Sequence, residues 1–98
     1  MMQITSQKSD HKKELKRIEW NIVKRLIALL YHNGTLKKTN IAMKSNMSYD
    51  KCMLYLNWLI MIDLIKKEKD DNGFDIISLK DRGEKIFHEQ IKTLDSLR

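Results

Sequence analysis

The stretch NIAMKSNMSYDKCMLYLNWL, residues 40–59, joins two apolar-faced segments at Ser45-Asn46-Met47-Ser48, with no glycine or proline between them. The second segment reads as a helix running to about Ile62. Cys52, Leu56, Leu59 and Ile60 follow the i, i+4, i+7, i+8 spacing of one buried face. Ser48 is suited to cap it, because its hydroxyl can accept a backbone N–H left free in the first turn. The first segment predicts a short helix from about Lys37 to Ser45, with Ile41 and Ala42 inward and Met47 in the core. Two helices joined this tightly must cross at an angle. The outer face of the second is then free to meet something else.

Working outward, a longer helix is expected from about Lys12 to His32. Ile18, Ile22, Leu26 and Leu29 give one apolar stripe, with Trp20, Val23, Ile27 and Leu30 beside it. His32-Asn33-Gly34 ends this helix, and Thr35-Leu36 allows only a minor strand. After Asp63 the period changes. LIKKEKDDNGFDIISLK, residues 64–80, predicts two strands around Asp71-Asn72-Gly73, since Asn-Gly is a strong hairpin signal. A last helix from about Lys80 to Leu97 carries Ile86, Phe87, Ile91, Leu94 and Leu97. The order is helix, short strand, helix, helix, two-stranded wing, C-terminal helix. This is an α+β, mostly α chain in the winged helix-turn-helix arrangement, in which the second helix of the pair enters a DNA major groove. Residues 1–11 are polar and aperiodic and are expected to be a flexible N-terminal segment, with the domain over 12–98.

The charge is unevenly spread. Of the net +6, residues 1–25 contribute +4, residues 26–60 contribute +3 and residues 61–98 contribute −1. The positive field therefore lies over the first 60 residues, as a phosphate backbone would require. No apolar run, Trp58–Ile62 included, approaches the roughly 20 residues of a membrane span. The N-terminus lacks the apolar core of a secretory signal, and the single Cys52 fits a reducing cytoplasm. His11, His32 and His88 are scattered as surface residues, and Cys52 sits at a core position. No nucleophile–base pair, phosphate loop or metal-ligand spacing is present, so no enzyme, cofactor or metal is expected.

The segments KTNIAMKSNMSYDKCMLYLNWLIMIDLI and ISLKDRGEKI together resemble the archaeal winged-helix family of small DNA-binding proteins and transcriptional regulators. That family opens its second helix with Lys-Thr, matched by Lys38 and Thr39. Its Asn-Leu-Ser-Tyr turn is matched by Asn46, Met47, Ser48 and Tyr49, its Tyr-Leu pair by Tyr55 and Leu56, and its Leu-Thr-x-x-Gly signature by Leu79, Lys80 and Gly83. The resemblance implies a DNA-binding regulator. Three departures stand out: Lys37 where the family caps with Ser or Thr, Lys80 in place of Thr, and an acidic wing tip, KDDNG. Some relatives dimerise through a long C-terminal coiled coil. Any such coil here would be short, with about 15 residues after Gly83, roughly 22 Å of helix.

The expected function is double-stranded DNA binding by a homodimeric transcriptional regulator in the cytoplasm, on the nucleoid. Lys37, Lys38, Lys44 and Lys51 would hold phosphates, and Ser48, Tyr49, Lys51 and Asn57 would lie nearest the bases. Lys66, Lys67 and Lys69 would be wing contacts to phosphate or a solvated strand edge. Asp50 on the same face repels phosphate unless it accepts from a cytosine amino group. Ile18, Ile22, Phe87, Ile91, Leu94 and Leu97 are expected at the dimer interface, the alternative being that the last helix folds back onto the first within one subunit. Two other readings stay open: a protein-interaction module using Leu54, Trp58 and Met61, and an architectural chromatin protein with little sequence preference. No effector can be named.

Overall fold

The computed structural model describes residues 17–91. The segment 1–11 and the interface candidates Leu94 and Leu97 lie outside the described residues. Helix α1 is Trp20–Asn33, β1 Leu36–Lys37, α2 Lys38–Ser45, α3 Tyr49–Met61, β2 Ile65–Lys69, β3 Asp75–Leu79 and α4 Asp81–Ile86, followed by a π-helical turn, Phe87–Ile91. This is the winged helix fold, mostly helical, with a small antiparallel sheet in strand order β1-β3-β2.

The first helix starts later than its apolar period suggests. Arg17–Glu19 are not helical. Glu19 is extended (φ −98°, ψ 117°), and its N–H donates to the hydroxyl of Tyr55 on α3 at 3.0 Å. A residue 36 positions away thus fixes the point of entry. Gly34, at φ 79°, closes α1 by donating its N–H to the Leu30 carbonyl at 2.8 Å.

Both helices of the central pair end in the same way. After α2, Asn46 is left-handed and donates to Met43 O, while Met47 N–H reaches Ala42 O. After α3, Asp63 takes φ 68° and donates to Ile60 O, while Leu64 N–H reaches Leu59 O. These are two Schellman closures, each followed by an apolar residue turned inward. Asp63 is an unusual occupant of that conformation, and Lys80 meets its carboxylate in an ion pair.

The wing turn is longer than a two-residue Asn-Gly hairpin. Asp70 N–H donates to Phe74 O, and Asp70 Oδ1 accepts from the N–H groups of Asn72 and Phe74, both at 2.9 Å. Gly73, at φ 85°, supplies the left-handed residue. The Asp70 side chain, accepting from two N–H groups of its own turn, closes the loop over Asp71–Gly73, the residues around which the two strands were expected.

One core unites the elements: Val23, Leu26, Ile27 and Leu30 from α1, Ile41 from α2, Cys52, Tyr55, Leu56 and Leu59 from α3, and Ile65 and Ile77 from the sheet. Each buried Leu or Ile stabilises the fold by about 1.5–3 kcal/mol. Ile60 and Met47 are only partly buried against it. The end of the described chain folds back on α1, with Phe87 stacked on Tyr31 at 4.0 Å between ring centres. That fold-back corrects part of the expected interface. Ile22, Phe87 and Ile91 are 6%, 4% and 3% exposed and already lie in the chain's own core.

At the corner where α3, the sheet and α4 meet, the Leu64 carbonyl accepts Lys80 N–H at 2.9 Å. A Cβ on Gly83 would stand 2.4 Å from that oxygen and 2.8 Å from Leu79 Cδ2. Helix propensity alone would make Gly83→Ala stabilising by about 1 kcal/mol. The clash reverses the sign, and we expect a loss of about 1–3 kcal/mol. For a domain of this size that lowers the melting temperature by at least about 4 °C, measurable by circular dichroism. An unchanged or raised melting temperature would contradict the close approach.

Candidate nucleic-acid interface

Helix α3 divides cleanly into two faces. Cys52, Tyr55, Leu56 and Leu59 are buried, and burial pushes the Cys52 thiol pKa up, partly offset by its contact with Ser45. On the other side Tyr49, Asp50, Lys51 and Asn57 are exposed. Ser48 caps the helix, its Oγ accepting Lys51 N–H at 3.3 Å, which leaves the Lys51 side chain pointing off an ordered first turn. The apolar residues of the outer side behave differently from one another. Leu54 and Trp58 are half-buried, Trp58 against the core, while Met61 is 75% exposed.

The angle between α2 and α3 is held from below. Buried Ser45 donates its hydroxyl to Ile41 O at 2.7 Å, and its own carbonyl accepts from Arg25 Nη1 at 3.0 Å. The turn presenting Ser48 and Tyr49 is therefore anchored to α1.

Between the start of α2, the start of α3 and the wing lies a cleft of about 380 Å³. Of the residues expected to contact DNA it brings together Lys37, Lys38, Tyr49 and Lys69. Lys44, Ser48, Lys51 and Asn57 lie outside it on α2 and α3, and Lys66 and Lys67 on the exposed edge strand β2. Of the four other lining residues, Thr39, Gly73, Phe74 and Asp75, none was expected at the site, and the last two make contacts within it. Phe74 is half exposed with Lys37 Nζ 4.3 Å from its ring centre, a cation–π contact. Asp75 faces Lys69 across the strand pair. An aromatic directly after Asn-Gly, where a polar turn residue is usual, was the available signal for the first. A lysine and an aspartate flanking the loop symmetrically was the signal for the second.

The lysines divide by charge environment. Lys38 and Lys69 both contact Asp75, at 3.0 and 2.8 Å, and Lys66 lies 3.7 Å from Glu68. Lys44, Lys51 and Lys67 have no ion-pair partner among the described residues. The Asp75 carboxyl is held down to about 2, by Lys69 first and then Lys38. Lys80 likewise lowers that of Asp63. No helix among the described residues is long and apolar enough to cross a membrane.

Residues 16–98 match the family model described as winged helix-turn-helix. Among solved structures the chain is similar to NadR in complex with 4-hydroxyphenylacetate, at 26% identity and TM-score 0.73, over 78% of this chain and 55% of that one. It is also similar to a MarR family transcriptional regulator from Silicibacter pomeroyi, at 19% identity and TM-score 0.68, over 74% of this chain and 50% of that one. The overoxidized AbfR bound to DNA matches at 17% identity and TM-score 0.68, over 83% of this chain and 60% of that one. The chain thus spans between half and three-fifths of the length of these structures. No curated protein matches it. With the whole fold and most of its length covered by one family, this chain belongs to the winged helix-turn-helix family.

Proposed function

We propose that the chain binds double-stranded DNA as a transcriptional regulator, with α3 entering the major groove. The observation that carries this is the exposed start of α3. Ser48, Tyr49 and Lys51 stand on a capped, anchored turn, and Lys44, near the end of α2, has no ion-pair partner among the described residues. Lys44 and Lys51 hold phosphates on either side of the groove, and Asn57, two turns further along α3, is positioned for a base edge or a phosphate. Lys37 at the start of α2 and Lys67 on β2 extend the positive surface, while Lys38 is held by Asp75. The solved likeness bound to DNA supports duplex as the partner class. The reading implies work on chromosomal DNA in the cytoplasm.

Duplex titration at several salt concentrations tests it. Lys44→Ala combined with Lys51→Ala should weaken binding at least about ten-fold and reduce the salt slope by about two. Lys85→Ala, on the far helix α4, should change affinity less than about two-fold, in keeping with a side chain that meets no phosphate. Equal losses from both would show that bulk charge, not this surface, governs binding.

The homodimer belongs to the same proposal, because two copies can meet successive major-groove faces about 34 Å apart. Its surface is revised. Ile22, Phe87 and Ile91 are occupied within the chain, while Ile18 and Trp20 remain exposed at the start of α1. Leu94 and Leu97 are the other candidates. Sedimentation equilibrium at micromolar concentration should give twice the 11.7 kDa chain mass. A monomer would contradict it.

A further inference from the structure

The wing carries a charge arrangement that runs against its expected task. Residues 65–75 hold three lysines and four carboxylates, a net −1. Asp75, at the start of β3, takes Lys38 from the start of α2 on Oδ2 and Lys69 from the end of β2 on Oδ1. The Lys69 contact is one of charge, without hydrogen-bond alignment. The side chains of Lys38 and Asp75 are only 21% and 23% exposed, so water screens this pair poorly, whereas Lys69 is 69% exposed. Two of the three lysines bordering the cleft thus share one internal anion. Lys37, the third, lies over the Phe74 ring and has no ion-pair partner among the described residues; Lys44, Lys51 and Lys67, likewise without one, lie outside the cleft.

Resting on the DNA-binding reading above, we propose that Asp75 is an internal competitor for the DNA phosphate. It occupies Lys38 and Lys69 where a phosphodiester would otherwise sit, and so lowers both the affinity and the salt dependence of duplex binding. The physical basis is exchange. A phosphate that meets a free lysine releases condensed counterions and gains a new contact. A phosphate that meets Lys38 must first displace a carboxylate already 3.0 Å away, so the gain is small. Binding then rests on the residues of the helix pair rather than on the wing.

A double-mutant cycle separates this from simple charge removal. Asp75→Asn and Asp71→Asn each remove one wing carboxylate, but no ion pair of Asp71 is found among the described residues. Titrated with one duplex between about 50 and 300 mM salt, Asp75→Asn should bind about ten-fold tighter at low salt, with a slope steeper by one to two units. Asp71→Asn should gain less than about three-fold, with its slope unchanged. Lys38→Gln with Lys69→Gln should cost the parent at most about three-fold yet erase the whole gain in the Asp75→Asn background. Two results overturn the proposal: Asp75→Asn no tighter than Asp71→Asn, or a gain that survives loss of the two lysines, which is the same as equal lysine losses in both backgrounds. Circular dichroism establishes that each variant folds. Should Asp75→Asn not fold, Lys38→Gln with Lys69→Gln is compared with Lys44→Gln and Lys51→Gln in the parent. A smaller loss from the first pair supports the proposal, and an equal or larger one overturns it. Absence of duplex binding by the folded parent and all variants overturns the DNA-binding reading, and this inference with it.

Discussion

The Leu64 carbonyl is the point through which the wing is fixed to α3. Its residue closes α3, since Leu64 N–H reaches back to Leu59 O, and begins the approach to β2. Its oxygen accepts from Lys80 at the end of β3 and packs on Gly83 at the start of α4. Four elements thus converge within one residue's reach. The left-handed Asp63 that makes the corner possible is steadied by Lys80, and Arg82 donates to the Ile62 carbonyl at 3.0 Å. With the backbone groups there paired, the corner costs little to bury.

From that corner the functional surface follows. With one face of α3 sealed by Tyr55, Leu56 and Leu59, the other must be presented outward, and the Ser48 cap sets how its first turn projects. Ser45 and Arg25 hold the turn before it. The mixed charge of the wing is consistent with a division in which α2 and α3 attract and the wing restrains.

Much of this was legible in the chain. The apolar period found each of the helices, Gly34 and Ser48 marked their ends, and Gly73 marked the wing, because those signals are local. What escaped was long-range. The start of α1 at Trp20 depends on a bond from Glu19 to Tyr55, which periodicity cannot see. Ile22, Phe87 and Ile91 read as spare apolar surface, but the final turn folds back so that Phe87 stacks on Tyr31. Lys38 and Lys69 read as free cations until the strand register set them against Asp75. For Lys80 in place of the usual threonine the structure gives a reason, its ion pair with Asp63. For Lys37 it gives only the contact with Phe74.

The central claim is that the exposed start of α3, not the apolar or C-terminal surfaces, meets the duplex. Backbone amide NMR on the intact chain, with stepwise addition of a short duplex, tests it most directly. The account predicts the largest shifts at Lys44 and Ser48–Lys51, with smaller ones at Lys37 and Lys38 and little change at Lys85 or His88. Shifts confined to Ile18–Trp20 or to α4, with Ser48–Lys51 unmoved, would contradict it.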